Sequence, residues 1–196
     1  MKRIVLASGN LGKLREIQHL TDGLLEILPQ SDFKIPEAVE NGLSFVENAI
    51  IKARHAAQHS GLPALADDSG IELEALKGAP GIYSARYAHA GASDEENRQK
   101  LLQELADVPE PQRRARFQCV VVYMEHPLDA TPLICQGTWE GRILFEPRGE
   151  QGFGYDPLFY VPSHHCSAAE LPESVKNTVS HRAKALRQLL AILGLS

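Results

Sequence analysis

The chain has 196 residues, 43% of them hydrophobic, and carries 20 basic against 25 acidic side chains for a formal charge of −5. Residues 1–196 therefore suit a single domain, or one core split into two lobes, with enough apolar material for a substantial interior. A net acidic chain without a basic stripe argues against a polynucleotide partner and a metal-dependent nuclease, whereas one small anion needs only a local cluster of cations.

The opening Met1-Lys2-Arg3-Ile4-Val5-Leu6-Ala7-Ser8 is too short for a signal peptide, and no run approaches the roughly 18 apolar residues of a membrane span. A cytoplasmic protein without membrane association is expected. Ile4 to Ala7 reads as a buried strand that breaks at Ser8-Gly9-Asn10. Leu11, Leu14 and Ile17 follow at helical spacing, and Leu24 to Leu28 reads as a second strand. Ser44-Phe45-Val46-Glu47 is a capping box that opens a helix through Ala49, Ala53 and Ala56. The apolar run Leu62 to Ala66 is a strand that delivers Asp67 and Asp68. Ile71 to Leu76 alternates as a further, half-buried strand, and Gly78 to Gly81 opens a loop.

Ser93-Asp94-Glu95-Glu96 caps a helix to about Leu105. Ala115 to Tyr123 alternates on a long strand, and Leu133 to Leu144 supplies one or two more. A glycine-rich turn, Gly149 to Gly154, precedes a strand at Leu158 to Val161. The last helix starts after Ser180 and carries Leu186, Leu189, Leu190 and Leu193 on one face before Gly194. Strands and helices mix throughout, without a repeat or linker. The fold class is α/β.

Asp67-Asp68-Ser69-Gly70 is the most informative segment. Neighbouring residues of an extended chain point to opposite sides, so both acids stay ionised only where water, a cation or hydrogen-bond donors reach them. A polar turn is the competing interpretation. Hard carboxylate oxygens suit Mg²⁺, and one carboxylate can hold the metal while another deprotonates a water. Glu40 could join such a site or simply decorate its loop.

Ser8-Gly9-Asn10-Leu11-Gly12-Lys13 lies where a strand turns into a helix, a place where backbone amides favour anions. The glycine spacing and Leu14 after the lysine reject a Walker A loop. Gly152-Phe153-Gly154-Tyr155-Asp156 sets two aromatics among glycines, suited to stacking on a flat base or to packing in the core. Ser180-His181-Arg182 places basic side chains at a positive helix start, where they would hold an anion better than they would stabilise the helix. His164-His165-Cys166 reads as a surface loop, since three consecutive residues rarely converge on one metal. Cys119 reads as core. Cys119, Cys135 and Cys166 offer neither a disulfide framework nor a zinc knuckle.

Considered together, these segments resemble the inosine triphosphate pyrophosphatase family, the dITP/XTP pyrophosphatases. The likeness runs from Ile4 to Leu193 and also rests on Gly78-Ala79-Pro80-Gly81-Ile82-Tyr83-Ser84-Ala85-Arg86-Tyr87. It implies an elongated mixed central sheet flanked by helices, with two lobes, an active-site cleft between them and a homodimer. It also implies Mg²⁺-dependent hydrolysis of dITP, ITP or XTP to monophosphate and pyrophosphate, which cleanses the nucleotide pool.

By motif position, Asp68 resembles the general base and a metal contact. Glu40 resembles the other metal ligand, and Asp67 is a supporting carboxylate and a further candidate. Ser8, Gly9, Asn10, Leu11, Gly12, Lys13, Ser69 and Lys176 would hold the triphosphate. Phe153, Gly154, Tyr155, Asp156, His181 and Arg182 would line the nucleotide pocket. One departure concerns Lys176, which follows Val175 where relatives commonly carry an acid. The rival interpretations are a Maf-like pyrophosphatase acting on pyrimidine or modified triphosphates, and a nucleotide sensor without turnover.

Overall fold

The computed structural model describes residues 1–195. Its strands follow the apolar runs: β1 (Lys2–Leu6), β2 (Leu25–Pro29), β3 (Ala64–Leu73), β4 (Arg114–Met124), β5 (Leu133–Ile143), β6 (Phe159–Val161) and β7 (Cys166–Ser167). They make one sheet in the order β2-β1-β3-β4-β5-β6-β7. β1 runs parallel to β2 and β3, while β6 is antiparallel to β5 and β7, so the sheet is mixed. Helices α1 (Leu11–Leu20), α2 (Phe45–Ser60), α3 (Asp94–Glu104), α4 (Glu173–Val179) and α5 (His181–Ile192) complete an α/β fold. Among the described residues, no helix is long and apolar enough to cross a membrane.

The chain forms two compact units. The first comprises Met1–Asp68, Cys119–Gly137 and the chain from His181 onward. Here strand alternation sorts the core into two faces. Ile4, Leu6, Leu65, Cys119 and Val121 pack with Ile17 of α1 and Leu186 and Leu189 of α5. Val5, Ala64, Ala66, Val120 and Val122 pack instead with Ala49, Ala53 and Ala56 of α2. The second unit comprises Ser69–Gln118 and Thr138–Ser180. Its core gathers Ile71, Leu73, Phe117, Trp139 and Phe159 against Leu101 and Leu105. The Trp139 ring lies 5.1 Å from that of Phe159.

The Asp-Asp-Ser-Gly segment is not a turn. β3 runs unbroken through it, because the backbone continues the ladder and both carboxylates find cations. Ile71 to Leu76 is accordingly not a separate strand: β3 ends at Leu73, and Glu74–Leu76 is a 3-10 turn. β5 is one strand, and the short helix α4 lies in a segment without a periodic apolar pattern.

β5 approaches α5 closely at Gly137. A Cβ there would lie 2.0 Å from the His181 carbonyl oxygen and 2.9 Å from the Ala185 nitrogen. Both are backbone atoms and cannot swing aside. Gly137→Ala is therefore expected to lower stability by about 1–3 kcal/mol or more through overpacking, measured by urea unfolding.

Candidate active site

Period-two alternation along β3 sends its two acids to opposite faces of the first unit. Asp67 follows Leu65 toward α1 and α5, and Asp68 follows Ala64 and Ala66 toward α2. Both are buried, at 0% and 7% exposure, so each depends on what meets it.

Asp67 meets several donors, among them two cations and a thiol. Its Oδ2 accepts from Arg182 Nε at 3.0 Å and from the Cys119 thiol at 2.9 Å, and its Oδ1 pairs with the Lys13 ammonium. Burial alone would raise its proton affinity, but Arg182 and Lys13 outweigh it and hold the carboxyl well below the usual range. Burial beside that carboxylate pushes the Cys119 thiol well up, which makes it a hydrogen-bond donor and a poor nucleophile. Arg182 is 1% exposed and also pairs through Nη1 with Glu16 of α1. Burial opposes its charge, yet Asp67 and Glu16 raise its proton affinity. Asp67 is thus the anionic centre of a cation cluster. Two of its partners, Lys13 and Arg182, are residues that the sequence singled out for the substrate.

Asp68 has a different environment. Lys52, projecting from α2, donates to Asp68 Oδ1 at 2.7 Å and lies 3.5 Å from Glu40 Oε2. Burial opposes the Lys52 charge, but Asp68 and Glu40 prevail and raise its proton affinity. For Asp68 the balance tips the other way. Burial raises its proton affinity, Glu40 adds to this, and Lys52 and Lys13 only partly offset it. Asp68 Oδ2 is buried and makes no hydrogen bond among the described residues. A buried carboxylate oxygen without a donor, beside a second carboxylate, fits a hard divalent cation or a water. Glu40 reaches this place on a loop whose Gly42 N–H donates to Asn48 Oδ1 of α2 at 2.8 Å.

The Ser8-to-Lys13 segment joins β1 to α1 as expected, but two of its first-turn amides are engaged. Asn10 is the N-cap, and its Oδ1 accepts from Gly12 N at 2.8 Å and Lys13 N at 3.0 Å. Ser8 Oγ accepts from Asn10 N at 3.2 Å. His181 and Arg182 open α5, as the sequence indicated.

In the second unit, Phe153 to Asp156 forms a loop with two left-handed glycines, Gly152 at φ 78° and Gly154 at φ 61°. A Cβ on Gly152 would lie 2.1 Å from Asp156 Oδ2, which accepts from Phe153 N at 2.9 Å. The Lys176 ammonium donates to the same oxygen at 2.7 Å and lies 5.2 Å from the centre of the Phe153 ring. Asp156 thus orients Lys176, while Val175 packs into the core. Tyr155 is buried, and its hydroxyl donates to Ser84 O at 2.8 Å. Ser69 begins this unit and is half-buried.

The chain as a whole has known relatives. The Ham1 family pattern matches residues 4–192. The chain belongs to the Ham1 family. It is 59% identical over 194 residues to the dITP/XTP pyrophosphatase of Vibrio parahaemolyticus, covering 98% of this chain and 97% of that one. It is also 59% identical over 189 residues to the dITP/XTP pyrophosphatase of Thioalkalivibrio sulfidiphilus, covering 96% of each. Among solved structures, a HAM1 protein from Coxiella burnetii superposes with a TM-score of 0.91 at 53% identity, covering 100% of both chains.

Within this Ham1 chain, sequence reasoning overlooked Lys52, Glu16 and Asn48. Lys52 had a signal: it falls three residues after Ala49 and four before Ala56, inside the alanine face that α2 buries. A lysine on an apolar face needs an anion, and Asp68 and Glu40 supply it. Glu16 precedes the core residue Ile17 and became legible only through Arg182, 166 residues away. Asn48 carried no signal that distinguishes it from an ordinary helical amide.

Proposed function

We propose that this Ham1 chain hydrolyses non-standard purine nucleoside triphosphates, dITP, ITP and XTP, to the monophosphate and pyrophosphate. The observation that carries the chemistry is the Asp68 carboxylate: buried, raised in proton affinity, with one oxygen on Lys52 and the other without a hydrogen bond. The substrate class is supported by the relatives named dITP/XTP pyrophosphatase. The chain is proposed to act as one pyrophosphatase domain, cytoplasmic and homodimeric, protecting DNA and RNA from misincorporation.

Asp68 accepts a proton from a water as its oxygen bonds to the α-phosphorus and the bond to the pyrophosphate oxygen breaks. The rise in its proton affinity favours this transfer, because a base works best when its conjugate acid is not too strong. Lys52 fixes the carboxylate through Oδ1 and leaves Oδ2 to the reaction. Ser8 to Lys13, Ser69 and Lys176 hold the triphosphate, whose charge must be balanced as it shifts toward the leaving group. Glu40 and Asp68 are the proposed ligands of Mg²⁺. When bound, that ion neutralises phosphate oxygens and orients water. Asp67, with both oxygens engaged by Lys13, Arg182 and Cys119, supports the cations instead.

Phe153 to Asp156 is proposed to contact the base by stacking, with His181 and Arg182 as residues that face the nucleotide. A donor set that pairs with O6 accepts hypoxanthine and xanthine. The adenine amino group would leave those donors unpaired, a mismatch that can discriminate by about 10⁴.

Incubation with Mg²⁺ and a panel of dITP, XTP, dGTP, dATP and dTTP tests the proposal. Pyrophosphate release is expected fastest from dITP or XTP and slowest from dATP. Preference for dTTP would point to a Maf-like enzyme, and no release from any of them to a sensor. In ¹⁸O-water, label is expected in the monophosphate; label in pyrophosphate would contradict attack at the α-phosphorus.

A further inference from the structure

Helix α3 reaches the Phe153 loop with a pair of charged side chains that no step of the reaction uses. Gly154 N–H donates to Asp94 Oδ2 at 2.6 Å, and Gly154 C=O accepts from Arg98 Nη1 at 2.7 Å. Asp94 and Arg98 are four residues apart and so lie on the same face of α3. One acid and one base therefore hold both backbone groups of a single residue. Hydrogen bonds to charged groups are the stronger kind.

The helix itself is well fixed. A complete capping box, Ser93 with Glu96, starts it. Asn97 is 2% exposed, accepts from Ala88 N at 2.9 Å and donates to Ala85 O at 3.2 Å. Arg98 is held by its second arm on Glu95 at 2.7 Å. The loop is also tied on its far side, where Tyr155 donates to Ser84 O at 2.8 Å. Gly154 is the free joint between these ties: its φ of 61° is open to glycine, and nothing lies within 4 Å of where a Cβ would be. Asp94 holds the Phe153–Gly154 peptide by its N–H, while the carbonyl of that peptide accepts from Asp156 N at 3.2 Å, and Arg98 holds the Gly154–Tyr155 peptide by its carbonyl. The plane that contains Gly154 N–H also contains the Phe153 carbonyl, so it helps to set where the Phe153 ring points.

We infer that Asp94 and Arg98 are positioning residues for base recognition: by clamping both backbone groups of Gly154 they orient the Phe153 ring against a purine base. The inference rests on the assignment of the Phe153 loop to the base.

The test compares dIMP and pyrophosphate binding by calorimetry in Mg²⁺, with hydrogen exchange at Gly154. Arg98→Ala and Asp94→Ala are each expected to speed exchange at Gly154, to weaken dIMP binding about tenfold, and to leave pyrophosphate binding unchanged. Turnover should show a raised KM for dITP with kcat largely kept. In a Phe153→Ala background, Arg98→Ala should cost no further dIMP affinity, since it acts through that ring. Equal weakening of dIMP and pyrophosphate, or an undiminished loss in the Phe153→Ala background, would overturn the inference. If Phe153→Ala alone leaves dIMP binding intact, the assignment of the loop to the base fails first, and the inference falls with it.

Discussion

Asp68→Asn is expected to reduce pyrophosphate release by on the order of 10²-fold or more while nucleotide binding survives. The substitution keeps the size of the side chain and an oxygen for Lys52, which now donates to Asp68 Oδ1 at 2.7 Å. What it removes is the ability to accept a proton at Oδ2, the buried oxygen that makes no hydrogen bond. Burial and the neighbouring Glu40 raise the proton affinity of this carboxylate, against Lys52 and Lys13. An amide has no such affinity at any working pH. The measurement is kcat for dITP at saturating Mg²⁺, with binding of a non-hydrolysable dITP analogue as the control. Near-normal turnover in Asp68→Asn would remove Asp68 from the role of base. The neighbouring Asp67→Asn offers a contrast: it sits on the opposite face among cations, so its loss should appear first in stability.

The sequence made much of this site legible because strand chemistry is local. An apolar run followed by two acids implied carboxylates that water, a cation or hydrogen-bond donors must reach, and alternation implied that the two point to opposite sides. Asp67 with Arg182 and Lys13, and Asp68 with Lys52 and Glu40, bear this out. The turn propensity of Asp, Ser and Gly was outweighed by the sheet: β3 stays extended past the end of its pairing with β1 at Leu65, lying between β1 and β4, and the charges are matched. The helix caps at Ser44 and Ser93 were equally readable, since a cap is decided within four residues. The partners of Arg182 were not, because Glu16 meets it across 166 residues and no spacing rule links them. The amides at the start of α1 show a similar limit. A helix start suggested free donors for an anion, but Asn10, the residue just before, takes two of them.

Arg182→Met is expected to destabilise the protein by about 3–5 kcal/mol, the usual cost of removing one partner from a buried ion network. Methionine fills similar space, so the loss is electrostatic more than steric. Arg182 is 1% exposed and serves two carboxylates, Asp67 and Glu16, which are themselves 0% and 8% exposed. Removing the guanidinium takes one cation from Asp67, which keeps Lys13, and an ion-pair partner from Glu16. Glu16→Gln in the same chain should recover part of the loss, because the amide needs no counter-charge.

The pH dependence gives an independent check. In the wild type, Arg182 and Lys13 hold the Asp67 carboxyl well below its unfolded value against the effect of burial. A depressed carboxyl contributes stability that is fully present above the unfolded value, about 3.9. That contribution is lost as pH falls from there through the depressed folded value. Arg182→Met abolishes most of it, so urea-unfolding curves of variant and wild type should lie furthest apart near neutrality and converge in acid. A cost under about 1 kcal/mol at neutral pH, or a gap that widens in acid, would show that Arg182 does not depend on these carboxylates. The nucleotide-facing role of Arg182 and its place in the network then have different signatures. The first would appear in the ratio of dITP to dATP hydrolysis, the second in unfolding without nucleotide.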